Sequence, residues 1–286
     1  MEIEAEQLIS SRRNKLVHRL KALSSKKGRE KYSSLLLEGT HLLEEILKGS
    51  LAPLEVIATK SWLRDHQQIA KKIPLDVPLI KVTEFVLQGA LSTKTPDGVA
   101  CILAIDDLPK LKTKPKFILA LDRLQDPGNM GTIFRTALAG DVEIIWLALG
   151  ADPLGQKVLR SSAGAVLKMP FERFSLAQEK ALNVLLEKLK GASADGYQII
   201  GTALPEAINS LNVLPYWKIN WDKPTVLVLG NEGSGIDPLI KSICNYFVTV
   251  PHNSIVESLN VASVAVPLLL ERRRAKMNSN MSINCE

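Results

Sequence analysis

Cysteine is scarce in this sequence, and its three residues lie far apart. Cys101, Cys244 and Cys285 form no CxxC pair. They supply neither a disulfide framework nor a zinc site, and a reducing, cytoplasmic setting is expected. His18, His41, His66 and His252 show no metal-ligand spacing, so no metal is expected. No apolar run approaches the roughly 20 residues needed to cross a bilayer, and no membrane association is expected. The opening MEIEAEQLIS is acidic and lacks the apolar stretch of a secretory signal. The 17 glycines and 15 prolines follow no period, which excludes a collagen-like fibre. What is present is ordinary for a globular protein: 46% hydrophobic and 23% charged residues. At about 100–200 residues per domain, a chain of 286 residues reads as two domains.

Acidic residues are nearly missing from one segment. Between Arg12 and Lys31, Glu30 stands alone against Arg12, Arg13, Lys15, Arg19, Lys21, Lys26, Lys27, Arg29 and Lys31. This segment carries +8 while the whole chain carries +6, so the remainder nets −2. The plain reading is a solvated helix face. The functional reading is a phosphate-binding patch, because Lys and Arg gain affinity by displacing counterions from a polyanion. Arg12, Arg13, Lys15, Arg19, Lys26, Lys27 and Arg29 are its candidate nucleic-acid contacts.

Periodicity gives two series of alternating strands and helices. Leu8, Leu16, Leu20 and Leu23 predict a basic amphipathic helix over 8–26. SSLLLEG reads as a strand, and HLLEEILKG as a helix capped by Thr40. LEVIAT, PLIKV and GVACILAI read as further strands, with helices at SWLRDHQQIAKK and TEFVLQGAL between them. Residues 1–105 thus form a small α/β domain. The polar, aperiodic DDLPKLKTKPK (106–116) reads as a linker. The second series places strands at 117–122, 142–148, 197–204, 225–230 and 245–250. These runs are apolar throughout, as in a parallel sheet covered on both faces. Helices fit at 129–139, 156–164, 176–190 and 237–244, and a last one from Ser258 towards Arg274. This second domain spans 117–275, and 276–286 is a tail.

Ligands of parallel α/β sheets sit beyond the carboxyl ends of the strands, and three loops stand out there. The first reads DRLQDPGNMGTIFRTA, with Asn129 placed to cap a helix that carries Gly131 and Arg135. The second, GNEGSGI, packs Gly230, Gly233 and Gly235 into six residues. It is neither a GxGxxG fingerprint nor a P-loop. It is read equally as a tight turn or as a place where a ligand approaches the backbone. The third, PHNSIVESLNVA, places Ser258 to cap an apolar helix, with Asn260 in its first turn. His252 reads as a structural loop residue.

Taken together, NxGxxxRTA (Asn129, Gly131, Arg135), GNExxG (Gly230 to Gly235) and VP…SLNVA (Val250, Pro251, Ser258 to Ala262) resemble the three motifs of the SpoU (TrmH) family. These are SPOUT-class RNA ribose 2′-O-methyltransferases. The first domain, through its basic helix, LLLEGTHLLEEIL and LSTKTPDGVACIL, is similar to the family's small, ribosomal-protein-like α/β substrate-binding domain. His252 stands where Met is common in the third motif, and Ser254 where Gly is common. The resemblance implies an α/β domain with a C-terminal trefoil knot, S-adenosylmethionine as cofactor, and a homodimer. It implies that Gly230, Asn231, Val250 and Leu259 hold the cofactor. Arg135 takes the catalytic role, as base or as stabiliser of the alkoxide and its neighbouring phosphate. A guanidinium rarely gives up its proton, which favours the stabiliser. Asn129 and Asn260 orient the hydroxyl and Arg135, Glu232 pairs with Arg135 or shapes the loop, and Ser258 fixes the loop through its cap. The implied substrate is structured RNA, with ribosomal RNA favoured over transfer RNA. The alternatives are a non-catalytic RNA-binding protein of the same fold and a base-methylating relative.

Overall fold

The computed structural model describes residues 8–174, 178–204 and 213–283. Residues 1–7, Cys285 and the end of the expected tail lie outside that range. The chain forms two compact units. The first holds residues up to Leu108 together with Leu154–Gly164, and the second holds Pro109–Pro153 and residues from Ala165 onward.

The first unit carries a four-stranded mixed sheet. Its strands are β1 (Ser34–Glu38), β2 (Glu55–Thr59), β3 (Leu79–Val82) and β4 (Val99–Ala104), in the order β1-β4-β2-β3. Helices α1 (Lys15–Leu23) and α6 (Glu84–Ala90) pack together, and Leu16, Leu20, Val86 and Leu87 meet Leu36, Ile57 and Ile102 in one apolar core. The single helix expected over 8–26 is in fact interrupted. Ile9 lies extended and bridges Val82, and α1 starts only where the Asn14 side chain caps Leu16 N at 2.8 Å. Ser25 then caps a second helix, α2 (Lys26–Tyr32), by accepting from Gly28 N at 3.1 Å. Two polar caps override a continuous leucine period. Between β1 and β2 runs α3 (Thr40–Leu47), and between β2 and β3 run α4 (Lys60–Asp65) and α5 (Gln67–Ala70).

The second unit is a seven-stranded, wholly parallel sheet. Its strands are β5 (Phe117–Leu121), β6 (Ile144–Leu147), β7 (Phe171–Arg173), β8 (Gln198–Thr202), β9 (Val213–Pro215), β10 (Thr225–Leu229) and β11 (Tyr246–Thr249). Their order is β7-β6-β5-β10-β8-β11-β9. Every residue of β5 and β10 is buried, and all of them but Thr225 are apolar. Helix α9 (Gln178–Ala194) covers one face through Ala181, Leu185 and Leu189. Helices α7 (Pro127–Ala139) and α11 (Val261–Ile283) pack on each other. The short α10 (Pro238–Lys241) follows β10. The two edge strands, β7 and β9, are absent from the sequence reading, because three residues carry no measurable period. Helix α8 (Gln156–Ser161), between β6 and β7 in the chain, belongs to the first unit. There the Gln156 amide donates to Leu36 O at 2.8 Å, and Arg160 pairs with Glu38 at 3.5 Å.

The last helix is not buried all round. Ala262, Ala265, Leu268 and Leu269 face inward, but Val266, Leu270 and Met277 are 39%, 40% and 56% exposed. Nor is its basic end uniformly solvated. Arg272 is buried over the Phe117 ring at 4.2 Å, and desolvation pulls its pKa below the ordinary arginine range. Arg273 pairs with Asp141 at 2.6 Å and Arg274 with Glu271 at 2.7 Å.

Candidate active site

β5 and β10 lie side by side in the middle of the sheet. The chain leaves β5 towards β6 on one side and leaves β10 towards β11 on the other. Their carboxyl ends therefore flank the switch point at which open α/β sheets bind ligands. Asp122, the first residue beyond β5, is fully buried. Its carboxylate accepts from Arg123 Nε at 2.8 Å, Arg123 Nη2 at 3.0 Å and Asp237 N at 2.8 Å. It thus ties the loop after β5 to the start of α10. Hydrogen bonding to this carboxylate raises the Arg123 pKa. The sequence reading missed Asp122; the signal available was a charged residue ending an all-apolar strand.

The helix after β5 starts two residues earlier than expected. Asp126, not Asn129, is its cap, accepting from Asn129 N at 2.8 Å, and Pro127 opens the helix. The D-P pair was a legible cap signal. Asn129 is thereby freed for another task. Its Nδ2 donates to Glu232 Oε1 at 3.3 Å, and its Oδ1 accepts from Asn260 Nδ2 at 2.9 Å. Asn260 is itself the cap of α11, accepting from Ala262 N at 2.8 Å, a task the sequence had assigned to Ser258. One side chain from each of the three loops thus joins a single hydrogen-bonded chain, Glu232–Asn129–Asn260.

Glu232 also accepts from the backbone N–H groups of Gln125 and Asp126, both at 3.1 Å. Partial burial opposes its charge, but these N–H donors and Asn129 outweigh it and hold the carboxyl below its ordinary value of 4.5. Its carboxylate thereby joins the 230–236 loop to residues 125, 126 and 129. It does not pair with Arg135. Arg135 is exposed on α7 and has no hydrogen-bond or ion-pair partner among the described residues. Ser258 is likewise exposed and makes no hydrogen bond there.

Residues 230–236 form a closed turn. Asn231 and Gly235 exchange backbone hydrogen bonds, both at 3.0 Å. The Asn231 side chain accepts from Gly233 N and Ser234 N and donates to Arg123 O at 2.9 Å. A Cβ on Gly230 would lie 2.4 Å from the backbone of Gly235 and Ile236, so glycine there closes the turn. Open space instead borders Gly235, at φ +66°, where a Cβ would meet nothing within 4 Å. In the third loop, His252 Nδ1 donates to Val250 O at 2.8 Å, which fixes the ring as a brace of its own loop. Leu259 is half-buried. Thr249, at the end of β11, is buried with its hydroxyl unpartnered.

The candidate RNA contacts divide. Arg13, Lys15 and Lys27 are exposed without an acidic partner among the described residues, and Lys26 is half-buried beside Glu30 at 3.8 Å. Arg29 is buried and donates to Leu23 O and Ser24 O, closing the end of α1. Arg19 pairs with Glu55, and Arg12 lies on Phe85. Among the described residues no group of three His, Cys, Asp or Glu side chains could hold a metal. A pocket of about 320 Å³ in the first unit, lined by Glu38, Thr40, His41, Thr93, Asp97 and Arg160, contains none of the three-loop residues.

The second unit is thus a parallel α/β domain whose three loops are tied together at the switch point, where open α/β sheets bind ligands. The SpoU rRNA methylase family model matches residues 116–270, and an MRM3-like substrate-binding domain model matches 14–101. The chain belongs to the SpoU family. It is 38% identical over 93% of its length to an uncharacterised tRNA/rRNA methyltransferase of Synechocystis, also 93% covered. It is 32% identical to the 23S rRNA (guanosine(2553)-2′-O)-methyltransferase RlmP of Bacillus subtilis, over 93% of this chain and 98% of that one. The AdoMet-bound rRNA methyltransferase of Sinorhizobium meliloti has a similar structure, with TM-score 0.76 and 26% identity over 94% of this chain and 97% of that one.

Proposed function

We propose that this chain methylates a ribose 2′-hydroxyl of ribosomal RNA, with S-adenosylmethionine as methyl donor. The observation that carries the reading is the Glu232–Asn129–Asn260 chain on the same unit as an exposed, unpaired Arg135. The name of the Bacillus relative supports ribosomal over transfer RNA as substrate. Gly230, Asn231, Val250 and Leu259 border the proposed cofactor site. The open backbone at Gly235 and the unpartnered Thr249 hydroxyl suit a ligand rich in acceptors. S-adenosylmethionine, when bound, supplies an electrophilic methyl group. Asn129 and Asn260 each keep one amide hydrogen outside the chain, available to a ribose oxygen. Glu232 is saturated by N–H donors and held anionic, so it orients Asn129 rather than accepting the substrate's proton. Arg135 stabilises the charge that develops on the 2′-oxygen and grips the adjoining phosphate with its planar fork. Ser258, exposed and without a hydrogen bond among the described residues, is left free to meet the substrate.

The path of the chain supports the knot. It runs from β8 to the edge strand β9, returns to the middle as β10, moves out again to β11, and comes back with α11 onto α7. Homodimerisation is supported by the row of Val266, Leu270 and Met277 along one side of α11, with Leu138 of α7 also 39% exposed. Residues up to about 105 form the RNA-binding domain, through Arg13, Lys15, Lys26 and Lys27. Cys101 and Cys244 are free thiols, as suits the cytoplasm.

Incubating the purified chain with total RNA and methyl-labelled S-adenosylmethionine tests the reading. Label in alkali-resistant dinucleotides is the expected outcome. Label in alkali-sensitive nucleotides would mean base methylation, and none at all a non-catalytic RNA-binding protein.

A further inference from the structure

Of the six phenylalanines, only Phe85 is strongly exposed, at 57%. It lies in the first turn of α6, beside α1. Arg12 covers part of its ring. The guanidinium carbon sits 3.7 Å from the ring centroid, and Nε donates to Phe85 O at 2.8 Å. Gly89, one helical turn on, makes the room. A Cβ there would lie 2.4 Å from Arg12 Nε and 2.7 Å from Cδ. The guanidinium is therefore held against α6, bonded to Phe85 O and seated over the Phe85 ring. Close by in sequence are Arg13 and Lys15, exposed and without acidic partners among the described residues.

We propose that Phe85 and Arg12 form a stacking platform for an unpaired base of the RNA substrate, with Arg13 and Lys15 on the flanking phosphates. An aromatic face paired with a guanidinium plane receives any base by its π-surface, and cations beside it hold the backbone. The proposal rests on the RNA reading above and adds to it a single-stranded target and the residues that grip it.

Affinity of the full chain for a labelled single-stranded oligoadenylate, and for an RNA duplex of equal length, provides the test. Phe85→Ala and Phe85→Leu should each weaken single-strand binding about 5- to 30-fold and leave duplex binding within twofold. Phe85→Trp should restore it. The slope of log affinity against log salt should be unchanged in Phe85→Ala, but shallower by about 0.7 for each of Arg13 and Lys15 replaced by Ala. Gly89→Ala should weaken single-strand binding without lowering the thermal midpoint, because it displaces Arg12 while favouring the helix. Wild-type affinity in Phe85→Leu, or equal losses for single strand and duplex, would overturn the platform. A chain that methylates RNA yet binds no single strand overturns it too and leaves the methyltransferase reading standing. A chain that methylates no RNA removes both.

Discussion

Asn260 Nδ2 donates to Asn129 Oδ1 across 2.9 Å, joining two residues 131 positions apart in sequence. Each is also committed to a helix start: Asn260 caps α11, and the backbone N–H of Asn129 satisfies the cap of α7. The two helices that pack together thus present two amides in fixed orientation. Side chains so coupled lose function together. Asn129→Ala and Asn260→Ala should each lower kcat/KM by about tenfold or more, and the double variant should be much less than additive. A coupling energy of about 1–2 kcal/mol is expected from the double-mutant cycle. Strict additivity would show that the amides act separately.

Arg135, like Ser258, has no hydrogen-bond or ion-pair partner among the described residues. Arg135→Lys keeps the charge and loses the fork. Turnover should fall by about a hundredfold or more, the scale of losing one preorganised donor to a developing oxyanion. Cofactor affinity, read by calorimetry, should stay within about twofold. Near-normal turnover would remove Arg135 from the reaction.

Glu232 gives a pH signature. Its carboxyl is held below 4.5 in the folded chain, so its contribution to stability is complete above that value and is lost as pH falls through the folded pKa. Glu232→Gln should therefore lower the thermal midpoint at neutral pH, and the gap to wild type should close as pH falls through the folded pKa. The side chain is solvent-exposed, so the gap is small. A gap that persists or widens in acid would mean that the N–H donors of Gln125 and Asp126 do not act on a charged carboxylate.

Strands β5 and β10 were legible because a wholly buried parallel strand is apolar at every position, and the three loops because motif residues cluster where such strands end. What stayed hidden depends on partners distant in sequence. No local pattern reveals that Asn129 joins Glu232 to Asn260, or that Arg29 and Arg272 are buried among groups their neighbours supply. Composition counts a cation the same whether it caps a helix, as Arg29 does, or stands free, as Arg13 does. Topology was equally opaque, since nothing in the order of strands along the chain inserts β10 between β5 and β8.

The placement of α8 alters what a shortened chain should do. Val158 and Leu159 are 1% and 0% exposed, and their segment belongs to the first unit. A chain beginning at Lys116 lacks that unit's sheet and uncovers both. Each such side chain is worth about 1.5–3 kcal/mol when buried. The shortened chain should melt several degrees lower and be cut first within 154–164 on limited proteolysis. An unchanged midpoint and cleavage pattern would show that the segment packs as well without the first unit.

The proposed homodimer turns on the last helix. Val266 and Leu270 are one turn apart, and Met277 continues their side of α11, so the three form an apolar row on a helix whose opposite side is already filled by Ala265, Leu268 and Leu269. A row of this kind on a two-fold axis meets its own copy, because a symmetric interface is self-complementary. The full chain should sediment at about twice 31.4 kDa at micromolar concentration. Leu270→Asp puts a charge into that row without touching the buried side. It should give a folded monomer with an unchanged circular dichroism spectrum. If Arg135 serves the partner's cofactor, the monomer should also be inactive. Mixing Arg135→Ala subunits with Gly230→Trp subunits should then recover part of the activity, since the bulky side chain cannot fit where a Cβ already meets backbone at 2.4 Å. An active monomer would refute the dimer requirement. A dimer whose mixed subunits recover nothing would refute the shared site alone.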